Sequence, residues 1–453
     1  MSLRILKFGG TSMGTADSIR QCCEIVRRSG LRVTPVVVVS ALSGVTNELI
    51  ALIDLARKQQ TPDIERRFAA LEERHRTVLE AFVSSRDFSR IWERDFRELL
   101  DRIHLILTGT SMVEDISDRS YAIVCSLGER LSSRIMQHAL ERNGMKSFAM
   151  DTDSLIRTDD HSLEAIVDIP ASRLLVRRAV SPLVKRGVTP ILTGFIGGTR
   201  DGHTTLLGRG GSDYSASIAG ICLNAASVEI WTDVDGVMSA DPRIVTKGVR
   251  TWRTIGLAEV SEMAHSGAKV LHPKTVTAAV LQRIPVIVKN TFRPSAPGTT
   301  IVPDESGSAV RGVVSQGGQT LLHFTEPGML SSPGFIYRVA SVFTERQISI
   351  DVCATSEITF TCSIASKDYS AELLKDFQSI ADVCVTEHLA KVCVIGHRIT
   401  LDPRFIAAVM QALSTIPLYA VSIGASFTNI TLIVDERQAK KALCSLHRSL
   451  LAP

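Results

Sequence analysis

The chain lacks any run of about 18 apolar residues, the length a helix needs to cross a bilayer, so no membrane span is expected. It also carries little net charge, +4 over 453 residues with no basic block, which leaves nucleic acid without an electrostatic footprint. Its nine cysteines are odd in number and scattered, with neither a C-x-x-C pair nor zinc-ligand spacing. That pattern argues against a disulfide framework or a structural zinc site and predicts reduced thiols in a cytoplasmic protein. The opening Met1-Ser2-Leu3-Arg4 runs straight into a buried-strand pattern, so no signal or transit peptide is expected.

Several catalytic signatures are missing too. Gly9 to Gly14 has the glycine spacing of a Walker A loop, but Thr15-Ala16 stand where Lys and Ser or Thr are required. Gly208-x-Gly210 meets Asp213 where a dinucleotide fingerprint needs its third glycine. No H-R-D, D-F-G or H-E-x-x-H sequence occurs, and the 11 histidines form no cluster. Gly10-Thr11-Ser12-Met13-Gly14 matches the hydrolase elbow G-x-S-x-G. Only nine residues precede it, too few for the earlier strand and loop that complete the oxyanion hole of that fold.

What is present is enough apolar residue, 45% of the chain against 22% charged, for two or three domains with a large core. Leu3 to Phe8 predicts a strand ending at Lys7-Phe8-Gly9-Gly10-Thr11-Ser12, with a helix from about Asp17 to Arg28. Val36 to Val39 is a continuous β-branched run, the pattern of a strand buried on both faces of a parallel sheet. It ends in Ser40-Ala41-Leu42-Ser43-Gly44-Val45-Thr46-Asn47, so two strands deliver polar loops at their carboxyl ends, the edge where open α/β sheets bind ligands. Residues 48 to about 110 predict two or three amphipathic helices, and Ile123 to Arg130 opens another. Strands follow at 147–151, 190–196, 228 onward and 285–289, with a helix over 257–266. This alternation predicts an α/β domain over residues 1–295, with a mostly parallel sheet sandwiched by helices.

Its centre is Leu207 to Ala216. Glycines at 208, 210 and 211 remove three Cβ atoms where backbone N–H groups can meet an anion, and Ser212 or Asp213 is placed to cap the next helix. A plain tight strand-to-helix connection has the same pattern. Pro294 to Ser308 is rich in Pro, Gly and Ser, and residues 296–308 read as a linker. Beyond it, residues 309–453 form a pseudo-repeat of two β-α-β-β-α-β units. The second unit, from about 390, lacks its closing strand. Residues 309–316 can supply it, which inserts the first unit, about 318–389, within the second. Such a tail suits a small-molecule sensor or a structural, oligomerising role.

The polar groups left at softened strand ends are Lys7, Ser40, Thr46, Glu129, Arg209, Ser212, Asp213, Asp233 and Lys269. They suit phosphoryl transfer, which needs positioning and cationic stabilisation more than covalent help. Four segments carry a resemblance: Lys7 to Ser12, Gly208-Arg209-Gly210-Gly211-Ser212-Asp213, Trp231-Thr232-Asp233-Val234-Asp235-Gly236, and Gly267-Ala268-Lys269-Val270-Leu271-His272-Pro273. They closely resemble the signature segments of aspartate kinases, which have the amino-acid kinase fold, and the tail resembles their tandem ACT domains of α+β type.

The resemblance implies a monofunctional, lysine-sensitive enzyme without a fused homoserine dehydrogenase. Its reaction would be ATP-dependent phosphorylation of the L-aspartate side chain to 4-phospho-L-aspartate, the first step toward lysine, threonine and methionine. Mg²⁺ would bridge the phosphates, with no ligand set of its own in the chain. By resemblance, Lys7 neutralises the transferring phosphate, and Asp213 orients that lysine and the helix start. Glu129 and Arg209 hold the amino acid with Ser40, Thr46 and Ser212. Lys7, Gly9, Gly10, Thr232, Asp233, Met238, Arg243, Lys269 and Val270 surround the nucleotide. Met238 departs from a frequent tyrosine, which puts adenine stacking there in question. Met329, Ser332, Gly334, Phe335, Ser349, Ile350, Asp351, Thr355, Ser356 and Glu357 resemble effector loops. Lysine is the implied effector, threonine or another amino acid being open, in a homodimer or dimer of dimers joined through the ACT region. The competing readings are a catalytically inactive amino-acid sensor and a kinase of the same fold with another acceptor.

Overall fold

The computed structural model describes residues 3–31, 33–268, 273–304, 309–326 and 334–451. The chain opens with β1 (Arg4–Phe8), α1 (Ala16–Ser29), β2 (Val36–Val39), α2 (Val45–Arg57), α3 (Thr61–Glu80), α4 (Ser85–Trp92), α5 (Glu98–Val113) and α6 (Asp118–Arg142). Next come β3 (Ser147–Met150), α7 (Ile169–Lys185), β4 (Thr189–Thr193), β5 (Ile196–Gly198), β6 (Thr204–Leu206), α8 (Gly211–Leu223) and β7 (Ser227–Thr232). Then follow β8 (Thr254–Gly256), α9 (Leu257–His265), α10 (Pro273–Leu281), β9 (Val286–Asn290) and β10 (Thr299–Val302). The remainder is β11 (Ala309–Thr325), α11 (Phe335–Glu345), β12 (Val352–Thr355), β13 (Thr359–Ala365), α12 (Ala371–Gln378), β14 (Asp382–His397), α13 (Pro403–Ala412), β15 (Ala420–Ile423), β16 (Asn429–Asp435) and α14 (Ala439–Leu451). Two compact units result: Met1–Val237 with Leu271–Pro303, and Met238–Val270 with Asp304–Pro453.

In the first unit the strands lie in the order β3-β4-β2-β1-β7-β9-β10. All neighbouring pairs are parallel except β9 with β10. β2 is flanked by β1 and β4 and buried along its length, which is why Val36 to Val39 shows no polar alternation. Parallel pairing brings the carboxyl ends of β1, β2 and β7 to one edge. There Gly9 N–H donates to Trp231 O and Ser40 N–H to Phe8 O.

Three local readings change. Thr299–Val302, within the stretch read as linker, form β10 because they complete the hydrogen bonding of β9. The charged stretch after residue 45 makes four helices, α2 to α5. A π-helical turn at Glu93–Arg97 joins α4 to α5, and Phe88, Trp92 and Phe96 stack at 5.9 and 5.0 Å along it. α6 starts at Asp118, where Ser117 accepts from Ser120 N–H as its cap, so Ile123 to Arg130 sits inside the helix.

The second unit has one sheet in the order β12-β13-β11-β14-β16-β15, antiparallel throughout. β11 and β14 are long and serve both halves. Ala309 to Gln316 run opposite His397 to Lys391, whereas Gln319 to Thr325 run opposite Leu389 to Asp382. Helices cover one face of each half, packing Phe335, Phe343 and Phe377 on Phe324, and Leu443 and Leu446 on Val392 and Leu432. Met238–Val270 belongs to this unit. Glu259 on α9 faces His397 at 3.0 Å, and Glu262 accepts from Asn429 at 2.6 Å.

Close backbone approach constrains β5. A Cβ on Gly198 would lie 2.1 Å from the carbonyl oxygen of Asp153. Gly198→Ala should therefore cost about 1–3 kcal/mol, the range of overpacked cores, measured by chemical denaturation. An unchanged midpoint would mean the two segments are not in contact.

Candidate active site

Lys7 stands at the carboxyl end of β1 with its side chain 10% exposed, and its ammonium lies 2.6 Å from Asp213 Oδ1. Asp213 comes from the first turn of α8, where the positive helix end favours a carboxylate. The expected cap is corrected here. Gly210, at φ 73°, is the N-cap of α8, and neither Ser212 nor Asp213 caps it. The left-handed glycine turns the chain without side-chain help, which leaves the Asp213 carboxylate for Lys7. Ser212 packs so closely on the end of β4 that a Cβ on Gly194 would meet its Cβ at 2.6 Å.

Glu129 projects from α6 and is almost completely buried. The helix can approach because residue 128 is glycine: a Cβ there would lie 2.6 Å from the Ala41 Cβ. Ser132, one turn on, donates to the Ser40 carbonyl at 2.7 Å, which fixes α6 against the turn after β2. Burial pushes the Glu129 carboxyl up to about 8, against the opposing pull of the Ala41 and Glu129 N–H groups and Lys7. Among the described residues its Oε2 has no hydrogen-bond partner. A buried carboxyl with an unused oxygen at a cavity wall is suited to receive a cation.

That cavity has a volume of about 900 Å³. Lys7, Gly9, Gly10, Ser40, Thr46, Glu129, Arg209, Ser212, Asp213, Thr232 and Asp233 line it. Residues 169 positions apart in the chain, Ser40 and Arg209, are thus brought to one chamber. Arg209 is exposed, between Gly208 and Gly210 with φ of 74° and 73°. Asn47, Tyr121, Glu164 and Phe195 also line the chamber and were not singled out from sequence. Asn47 lies in the small-residue turn after β2, a usable signal. Phe195 has φ of 69°, which only the fold reveals.

Not every expected residue is there. Met238 and Arg243 fall in the second unit and are not among the lining residues. Met238 bridges Thr251, and Arg243 pairs with Asp241 at 2.6 Å. Lys269, Val270, Met329 and Ser332 lie outside the described residues. Of the other effector-type residues, Gly334 is the left-handed N-cap of α11 and Phe335 is buried in the core beneath it. Ser349, Ile350, Asp351, Thr355, Ser356 and Glu357 are exposed. Asp351 takes the ammonium of the buried Lys391 at 3.2 Å, and Ser356 shares a hydrogen bond of 2.5 Å with Thr359.

Because Lys7 and Asp213 are both largely withdrawn from water, deleting one charge strands the other. Asp213→Asn should lower unfolding free energy by about 2–3 kcal/mol, toward the low end for buried pairs because the chamber admits water. Adding Lys7→Met should recover much of the loss; a denaturation series in which it does not would refute the pairing.

Comparison with known proteins follows this geometry. Residues 2–290 match the amino acid kinase family, and residues 392–450 match the ACT domain. The lysine-sensitive aspartokinase 3 of Escherichia coli is 31% identical, over 98% of this chain and 98% of its own. The chloroplastic aspartokinase 1 of Arabidopsis thaliana is 32% identical, over 98% of this chain and 79% of its own. The structure of E. coli aspartokinase III in complex with lysine and aspartate in the T-state superposes with a TM-score of 0.85 at 30% identity, covering 99% of both chains. The same enzyme with aspartate and ADP in the R-state gives 0.83 with the same coverage. The chain belongs to the amino acid kinase family, in its aspartokinase branch.

Proposed function

We propose that this chain transfers the γ-phosphoryl group of ATP to the side-chain carboxylate of L-aspartate, releasing ADP and 4-phospho-L-aspartate, and that lysine inhibits it through the second unit. One observation carries the reading. A single chamber holds a buried carboxyl with one oxygen unpartnered among the described residues, a guanidinium on a glycine loop and an ammonium paired to a helix start. Glu129 takes the substrate ammonium and Arg209 grips the α-carboxylate, a bidentate match. Ser40, Thr46 and Ser212 add hydroxyl contacts. The attacking carboxylate, with a free pKa of about 3.9, is ionised at neutral pH and needs no base. Its oxygen bonds to the γ-phosphorus as the bond to the β-bridging oxygen breaks, and Lys7 offsets the charge in transit. Asp213 keeps the Lys7 ammonium aimed.

The nucleotide meets Gly9, Gly10, Thr232 and Asp233, with Met238, Arg243, Lys269 and Val270 proposed to complete its site. Asp233, the chamber carboxylate not engaged by Lys7, would help to hold Mg²⁺ together with the phosphate oxygens. When bound, the ion neutralises phosphate charge. The complexes of E. coli aspartokinase III with aspartate and lysine and with aspartate and ADP support the assignment. We further propose residues 1–295 as the kinase domain and 309–453 as tandem ACT units, the first inserted in the second. Assembly through the ACT region, as a homodimer or a dimer of dimers, is supported by the exposed edge strand β12. No helix among the described residues is long and apolar enough to cross a membrane, in keeping with a cytoplasmic setting. An inactive sensor is disfavoured by the intact Lys7–Asp213 pair.

Trapping the product with hydroxylamine tests the activity. Aspartyl hydroxamate should form only with ATP and aspartate, and less of it with lysine added. Turnover with glutamate and not aspartate would transfer the chain to another acceptor class.

Glu129 adds a pH signature. In the free enzyme it is protonated below about 8, yet it must be ionised to hold an ammonium. Aspartate binding near pH 7 should therefore release close to one proton, seen by calorimetry in buffers of different ionisation enthalpy. The kcat/KM for aspartate should climb with pH up to about 8. The same raised value means that folding is favoured at low pH through this group, and that the contribution is lost as pH rises through about 8. Glu129→Gln should abolish the proton release and raise KM for aspartate; release that persists in the variant would assign it elsewhere.

A further inference from the structure

We infer that Arg130 is a positioning residue that sets the aspartate grip, and with it the preference for a four-carbon acidic amino acid, without touching the substrate. The inference rests on the proposed roles of Glu129 and Arg209.

Glu129 and Arg130 are consecutive on α6, so their side chains diverge by about 100° around the helix. Glu129 faces the chamber, whereas Arg130 is not among its lining residues. Arg130 Nη1 donates to Asp151 at 2.7 Å, and Nη2 pairs with Asp153 and donates to Thr204 Oγ1 at 3.3 Å. Its Nε donates to Ser126 Oγ at 3.2 Å, one turn back on the same helix. Thr204 closes the cluster by donating to Asp153 at 3.0 Å, and Arg134 supplies a second guanidinium to Asp151. The Arg130 side chain is 14% exposed. Burial acts against its charge, and Asp151 and Asp153 more than offset that.

Each partner leads to a part of the site. Thr204 opens β6, whose chain runs through Leu206 and Leu207 to Gly208 and Arg209. Leu207 N–H donates to Phe195 O, which ties that run to the end of β4. Between Asp151 and Asp153, Thr152 bonds to Thr193 on β4 at 2.8 Å through their hydroxyls. Arg130 is therefore where the helix bearing Glu129 and the hairpin leading to Arg209 are fastened together. A planar fork with five donors reaches two carboxylates and two hydroxyls at once, whereas an ammonium has only three donors.

The two residues so fastened are those proposed to hold the α-ammonium and α-carboxylate. Their separation sets where the α-carbon sits, hence how far a side-chain carboxylate reaches toward the phosphate. One extra methylene is a small difference, so discrimination by reach depends on a rigid span.

Arg130→Met in the full-length enzyme should raise KM for aspartate about tenfold, leave kcat and KM for ATP within about twofold, and narrow the ratio of kcat/KM for aspartate over glutamate. Arg130→Lys should fall between. Should Arg130→Met fold poorly, Asp153→Asn, which keeps the Arg130–Asp151 arm, should show the same split in milder form. Equal rises in both KM values, a fall in kcat alone, or an unchanged aspartate KM and selectivity would each overturn the inference. A wild-type enzyme inactive with aspartate would instead overturn the functional reading and this inference together.

Discussion

The ammonium of Lys7, at the end of a central parallel strand, is held 2.6 Å from a carboxylate in the first turn of α8. Both partners are nearly withdrawn from water, so neither keeps its charge cheaply without the other. The pair fixes more than itself. It sets the start of α8 against the end of β1, and the glycines at 208 and 210 lie on the approach to that helix start. The polar turn after β2 reaches the same edge because β1 and β2 are parallel and in register from Ile5 opposite Val36 to Phe8 opposite Val39. A chamber whose lining suits a phosphate thus follows from sheet direction, loop chemistry and one ion pair.

Glu129 shows the opposite economy of charge. A buried carboxyl with one oxygen left without a partner among the described residues is unfavourable for folding, and its raised pKa reflects that burial. Such departures from local stability are found where a ligand supplies the missing partner. The glycine at 128 belongs to the same arrangement: without it α6 could not lie close enough to the Ala41 turn to keep Glu129 at the chamber wall.

Much of this was legible from residues alone, because the signals are local. The β-branched run of β2, the glycine-softened loops and the helix after residue 211 each depend on neighbours in sequence. What escaped depends on partners far along the chain. Thr299–Val302 has the composition of a linker and becomes a strand only because β9 offers an unpaired edge. Phe335 occupies an effector-type loop, yet its size and apolarity send it into the core with Phe324 and Phe377. Asp351 can be read from sequence as a free carboxylate, whereas its pairing with Lys391 spans 40 positions. Arg130 beside Glu129 belongs to no motif in the sequence. Its meaning comes from Asp151, Asp153 and Thr204, which no periodicity links to it.

The affiliation of Met238–Val270 is the furthest-reaching of these tertiary effects. By sequence it continues the strand-helix alternation of the kinase domain, yet it is gathered with the ACT-type sheet through Glu259 with His397 and Glu262 with Asn429. The chain leaves the first unit at Val237, four residues after Asp233 of the chamber, and rejoins it at Leu271. A ligand of the second unit can alter activity only by favouring one arrangement over another. The chain itself is the covalent route open to that bias, since both ends of the segment continue into the first unit. Met238 and Arg243 are grouped with the second unit, although the sequence places them shortly after Asp233 of the chamber.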